Sequence, residues 1–569
     1  MFQIVSGKFF GDGEINETEK QSILFSNYMT PENIEYHSEY VKVQATRCNN
    51  IITPYVVKYK NRYEKISEDD RMVFADDALV VEHVRLLTSF YFQAFFHEDR
   101  NHIELLTRQI PRHSNDRGVP SHFIPRYLDP TIQYDHSLTE GFEEYIGAVI
   151  GLNRTDYTLF ISCLETFFDA LESIPTNFDL GYSMFVYMLE ALSQHLDNYE
   201  PTWDDFDQDV KVKLDEILEN VEDSNKTKII NTLLQGKQLK LTKRFVDGIM
   251  EMVEDSFFEE ESYQIERPIP KSDLKQALIN LYKSRSQFVH SLQKIRDQLK
   301  VSQVVKNSDF FKWQSQPYLT ISGLVRLSHH VLNSFLNGRQ KVKNEKIEWR
   351  GDLPGILYFE VAPEYWIANT EGMKPSDSHK RFSGFYKFLT QNLQKSDFKF
   401  PLLKDLLIWI EKHFSNCNAD HKKSLFSIYS TYSSMIVPDG KPDKADEFIK
   451  HHQELMTKEC SLQMMVQHLF LKIKYPWNVI ECAEIFSLYE RQKYKKDGIN
   501  LPTRLESALC LEIAKDFFDA DNQEMRMIWS KKALLDSTGD KELQKRLRDS
   551  LDEDHPMSGF EILYPELKE

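Results

Sequence analysis

From residue 136 to residue 340, apolar side chains recur at intervals of three and four through eight successive segments, from "TEGFEEYIGAVIGL" to "SGLVRLSHHVLNSFLN". That spacing gathers the apolar residues on one face of an α-helix. About two hundred residues of it, with only short breaks, predict a bundle in which each stripe is buried against another. The preceding stretch, "IPRHSNDRGVPSHFIPRYLDP", carries four prolines and a glycine. No helix runs through it, so a boundary or long loop falls there. The fold expected is mainly α, in four parts.

Residues 1–135 read as a mixed α/β domain with a sensor or regulatory role. "YVKVQATR" and "ITPYVVKYKNRY" are rich in Val, Tyr and Thr with partial alternation, which predicts strands. "DALVVEHVRLLTSFYFQAFFHEDRNHIELLTRQ" predicts one long helix or two. Residues 136–340 are the bundle. Residues 341–380 form a connector, in which Gly and Pro flank a candidate strand, "GILYFEV". Residues 381–569 return to helices. Two helix–turn–helix pairs there, with turns at "PDGKPD" and "DADN", place Ala445 and Ala533 in the second helix. This outline resembles the tetratricopeptide class, whose solenoids present a concave partner-binding face. An irregular helical domain fits the pattern equally well.

The formal net charge of −18 argues against a protein that coats nucleic acid non-specifically, because phosphate contacts need Lys and Arg. The charge is unevenly spread. Residues 197–223 hold eleven acids against two lysines, and residues 271–300 hold seven Lys or Arg against two Asp. No apolar run is long enough to span a bilayer, and "MFQIVSGKFFGDGE" lacks the features of a secretory signal. The six cysteines form no C-x-x-C pair. These features lead us to expect a cytoplasmic protein with no disulfide framework, metal or cofactor.

The basic helix contains "LYKSRSQFVH", residues 281–290, with Arg285 and His290 five apart. Chance alone gives about 0.7 such pairs in a chain with this many Arg and His, which makes the bare spacing weak evidence. Arg108…His113 and Arg117…His122 share the spacing, but they lie in the proline-rich stretch. Only Arg285…His290 sits on an apolar pattern that continues through Leu292, Ile295 and Leu299, with Asp273 as the expected N-cap. At about 100° per residue the two side chains diverge by about 140°, which suits the two flanks of a groove. Ser286 and Lys294, each four residues from His290, share its face. Both Arg285 and His290 are expected outside the core.

"LYKSRSQFVHSL" resembles the R-x4-H helix of the HEPN superfamily, especially its bacterial abortive-infection branch. Tyr282, Arg285, Ser286, Val289 and His290 stand in the matching positions. "VYMLEALSQ" resembles an earlier helix of that group and offers Glu190 as its glutamate. Two positions depart: Ser291 stands where glycine is frequent, and Ser286 where many active members carry Asn, Asp or His. The resemblance covers about residues 140–340. It implies a metal-independent endoribonuclease with Arg285 and His290 catalytic, supported by Tyr282, Ser286 and Glu190, in a triggered antiviral-defence or toxin-like role. It also implies a homodimer through the Arg285–His290 helix, with RNA as substrate and a protein trigger acting at either end of the chain. The residue types suit that chemistry. An imidazole titrates near neutrality and can take the 2′-OH proton, and a guanidinium can hold the phosphate oxygens.

The alternative is a non-catalytic HEPN-like scaffold whose helical repeats bind a partner. Three other features carry weaker signals. "FFHEDRNHIE" reads as a surface charge cluster, and the adjacent His329 and His330 diverge too far to share a metal ion. Residues 381–569 show no convergent set of acid, base and nucleophile.

Overall fold

A computed structural model of the protein describes residues 1–46, 51–65, 77–109, 119–197, 199, 202–206, 208–219, 221–234, 240–300, 307–353, 361–392, 401–436, 440–551 and 557–564. The chain forms two compact units, Met1–Leu357 and Tyr358–Glu569, each with its own apolar core. The expected segments 1–135 and 136–340 lie in the same unit, and one continuous core runs through both.

The first unit opens with the short buried helix α1 (Phe2–Val5) and the long strand β1 (Glu14–Ser26). Then come β2 (Tyr28–Met29), β3 (Glu35–His37), β4 (Val41–Ala45) and β5 (Thr53–Lys65). β1 and β5 pair antiparallel over their full length, from Glu14 opposite Lys65 to Ser26 opposite Thr53. With α2 (Asp77–Phe92) and β6 (Phe96–His97) following, the sheet order is β3-β4-β5-β1-β6. Period-two alternation sends Val41, Val43, Tyr55 and Val57 into the core. The strands expected in 40–63 are present. The "DALVV" segment divides into α2 and α3 (Arg100–Leu106), separated by β6.

After β7 (Ile132–Gln133) the helices begin: α4 (Ser137–Gly151), α5 (Arg154–Ser173) and α6 (Phe178–His195). They are followed by α7 (Gln208–Leu218), α8 (Asp223–Leu234), α9 (Leu241–Met252) and α10 (Lys271–Ser291). A hairpin of β8 (Phe310–Trp313) and β9 (Gln316–Leu319) leads into α11 (Ile321–Gly338). The N-caps Asn153, Asn177 and Thr320 each accept a backbone N–H at the start of α5, α6 and α11. The sheet and the helices join through aromatic packing: Tyr36 meets Phe142, and Phe90 of α2 meets Phe160 and Phe167 of α5 edge-on.

α10 differs from the expected helix at both ends. Its N-cap is Pro270, and Asp273 lies in the first turn, where its carboxylate faces the positive end of the helix dipole and pairs with Lys312. The helix stops at Ser291. Leu292 adopts a left-handed backbone (φ 53°), and the amides of Leu292 and Gln293 return to the carbonyls of Phe288 and Gln287. The chain then turns away because Asp179 of α6 captures it: the Ile295 amide donates to Asp179 Oδ1 (2.6 Å) and Lys300 Nζ to Oδ2 (2.7 Å). Ile295 and Leu299 are buried as the apolar pattern suggested, but from outside α10.

The described part of 341–380 holds short 3-10 turns. The candidate strand "GILYFEV" lies almost wholly outside the described residues, as does the start of the "PDGKPD" turn.

The second unit is helical in its described residues. The two helix–turn–helix pairs are Ala419–Met435 with Ala445–His452, and Thr503–Asp519 with Gln523–Asp536. Ala445 and Ala533 are buried, and Asp521 turns the second pair with a positive φ. No helix among the described residues is long and apolar enough to cross a membrane.

Candidate functional site

α6 and α10 pack against each other and against α9 because each carries an apolar stripe. Phe185, Leu189 and Leu192 come from α6; Leu274, Leu278 and Leu281 from α10; Phe245 and Ile249 from α9. Side chains at the edges of those stripes converge on a cleft of about 930 Å³. Its walls include Glu190 of α6 and Tyr282, Arg285, Ser286 and His290 of α10, together with Phe206, Val210, Leu241 and Val246.

Glu190 organises one side. Its Oε2 accepts from Arg285 Nη2 at 2.6 Å, and its Oε1 from the Tyr282 hydroxyl at 3.0 Å. Burial, reinforced by the Glu190 charge, pushes the Tyr282 phenol up to about 12, so it remains a donor. The Arg285 guanidinium lies over the Tyr187 ring, its Cζ 4.3 Å from the ring centroid. Both partners of the ion pair are 13% exposed. Arg285 is therefore held against the edge of the bundle, half-buried and outside the apolar core. Its Nε is buried and has no hydrogen-bond partner among the described residues.

His290 is placed differently. It sits in the last turn of α10, is exposed, and makes no hydrogen bond among the described residues. The turn at Leu292 ends the helix just beyond it. Lys294 does not share its face, because the helix that would have aligned them has stopped, and Lys294 lies exposed outside the cleft.

The basic balance of 271–300 is partly neutralised. Lys271 pairs with Asp255 (2.8 Å), Lys275 with Asp247 (3.8 Å), Arg285 with Glu190 and Lys300 with Asp179. The first two pairs are well exposed, so water and salt screen them. Lys275, Lys240 and Lys243 line the cleft. The lysines of α9, Asp247, and Tyr187 one turn before Glu190 belong to the site although the motif alone did not select them. Tyr187 was within reach of helical spacing, since residues three apart share a face.

The other candidates are resolved by their partners. His330 places Nδ1 2.7 Å from Glu261 Oε1 and accepts the Glu254 amide at Nε2, while His329 packs on Phe90. The His97 and His102 rings lie 4.4 Å apart and tilted by 33°, and His102 faces Glu172 at 3.1 Å. Arg117 and His113 lie outside the described residues. Asp156, which sequence reasoning passed over, accepts from His195 (2.6 Å) and Arg339 (2.9 Å). Burial alone would raise that carboxyl, but the Arg339 and His195 hydrogen bonds outweigh it and hold it below its ordinary value. In the second unit, His468, Tyr475, Glu512 and Asp516 meet at a cavity of about 680 Å³, a convergence the sequence did not disclose. Comparison with protein-family models, with curated proteins and with solved structures found no match for this chain.

Proposed function

We propose that the chain is a metal-independent endoribonuclease of HEPN type. In this reading His290 takes the 2′-OH proton as O2′ attacks phosphorus, and Arg285 offsets the charge that develops on the phosphoryl oxygens. The P–O5′ bond breaks, leaving a 2′,3′-cyclic phosphate and a 5′-hydroxyl. The proton for O5′ comes from His290 of a second copy, so the α10 helices of a homodimer border one groove. Glu190 and Tyr282 orient the guanidinium, Ser286 lines the substrate path, and the Phe206 ring offers a face to a base.

The observation that carries this reading is the meeting of Glu190, Tyr282, Arg285, Ser286 and His290 in one cleft, with the imidazole exposed and unpartnered. The paired state of Arg285 favours the second reading, a HEPN-like scaffold in which that residue is structural. The C-terminal helix pairs, tetratricopeptide-like in outline, are assigned partner binding or regulation of a triggered antiviral-defence or toxin-like activity.

The test is cleavage of a mixed RNA pool in excess EDTA. His290→Ala should lower the rate about 10²–10⁴-fold, the usual contribution of a general acid–base group, without moving the melting temperature. Arg285→Ala leaves Glu190 unpaired, so Arg285→Lys is the cleaner variant: it keeps the cation and removes the fork. Activity that disappears with EDTA, or that survives in His290→Ala, overturns the mechanism. Light scattering that finds only active monomer overturns the dimer.

A further inference from the structure

Five of the six cysteines lie in the described residues, and two of them touch. Cys460 stands just before the helix Leu462–Phe470, and Cys482 lies in the first turns of Val479–Gln492. Their sulfurs are 3.8 Å apart. Cys460 is half-buried and within electrostatic reach of Lys423, whereas Cys482 is fully buried. The pair is chemically asymmetric. The Cys482 thiol favours the thiolate of Cys460 against the effect of burial, and the same contact pushes Cys482 up. Cys163, Cys417 and Cys510 are buried, and burial raises each of them. Two sulfurs 3.8 Å apart, one of them half-buried and reachable from solvent, are the arrangement of a reactive dithiol.

We propose that Cys460 and Cys482 form an oxidative modification site whose oxidant is hydrogen peroxide. The Cys460 thiolate attacks one peroxide oxygen; the S–O bond forms, the O–O bond breaks, and one water leaves after protonation. Cys482 then attacks the sulfenic sulfur; the S–S bond forms, the S–O bond breaks, and the second water leaves. Two thiols give up two electrons and two hydrogens, and hydrogen peroxide is reduced to two waters. The disulfide ties the start of Leu462–Phe470 to the neighbouring helix. His468 and Leu469, at the far end of that helix, line the cavity with Tyr475, Glu512 and Asp516. The Tyr475 hydroxyl is buried without a hydrogen-bond partner among the described residues. The link would therefore form at the opposite end of a helix that lines this cavity. Intracellular disulfides of this kind are usually transient and redox-sensing.

The test uses the full chain, reduced and then exposed to a modest excess of hydrogen peroxide. The intact mass should fall by two hydrogens, a non-reducing peptide map should join the Cys460 and Cys482 peptides, and dithiothreitol should reverse both. In Cys482→Ala, Cys460 should stop at the sulfenic acid and be labelled by dimedone. Oxidation that begins at Cys163, Cys417 or Cys510 overturns the assignment. So does a wild-type Cys460 that proceeds to sulfinic acid without the link, or a link that forms between two copies. If Cys482→Ala fails to fold, the wild-type peptide map alone decides.

Discussion

Two carboxylates, one in each unit, sit in similar settings and end in different places. Glu190 accepts from a tyrosine hydroxyl and an arginine, and Glu506 from the Tyr489 hydroxyl (2.6 Å) and Lys493 Nζ (2.9 Å). At Glu506 both donors converge on one oxygen, and the Tyr489 hydroxyl accepts the Leu501 amide, so the arrangement closes on itself. At Glu190 each oxygen has its own donor, the guanidinium keeps an unpartnered Nε, and an exposed imidazole lines the same cleft. A buried ion pair alone does not mark a site. What sets the first arrangement apart is the exposed imidazole of His290 on the same cleft.

The comparison breaks most sharply through paired substitutions. Glu190→Ala and Glu506→Ala each leave a cation and a tyrosine unpaired, and each should cost about 3 kcal/mol, as for other broken buried pairs. Thermal melts should show two losses of similar size. RNA cleavage by the folded fraction should fall only in Glu190→Ala, because only there does the orphaned cation face the cleft. Equal loss of cleavage in both variants would show that the difference between the two sites is not functional.

A third carboxylate sharpens the contrast from the other direction. Asp516 lines the second-unit cavity, and burial, with the Glu512 charge adding to it, pushes its carboxyl up to about 6. The folded state therefore binds a proton more tightly than the unfolded chain does. That contribution to stability is fully present below the ordinary aspartate value and is lost as pH rises through about 6. Asp516→Asn should remove the dependence, gaining about 2 kcal/mol near pH 7.5 and little near pH 4. Melting temperatures across that range check it. A variant whose pH profile parallels the wild type would mean that Asp516 is not the group titrating there.

What the sequence made legible follows from periodicity. The helices of 136–340 and the strands of 40–63 show their apolar spacing openly, whereas Glu190, which meets Tyr282 and Arg285 in the structure, was offered only by the family resemblance of its helix. β1 was not legible, because "EINETEKQS" is dominated by polar residues and the strand is held by its full-length pairing with β5. The single core shared by 1–135 and 136–340 was hidden because a proline-rich loop marks a break in the chain path, whatever the packing across it. The pairing of Arg285 was hidden because its partner lies ninety-five residues away on α6.

The end of α10 was the least legible feature and supplies the finest test. Leucine is a poor signal for a helix stop, since a left-handed residue there is usually glycine. The Leu292 side chain is 79% exposed, so it contributes little packing to offset the strain of its positive φ. The segment beyond is held by Asp179, which fixes the stop independently of residue 292. Leu292→Gly should therefore relieve strain and stabilise the fold by about 0.5–1 kcal/mol, seen as a small rise in melting temperature. Because the stop stays in place, His290 should keep its position and cleavage should stay at the wild-type rate. A fall in stability would show that the leucine side chain, and not the Asp179 anchor, holds the end of the helix.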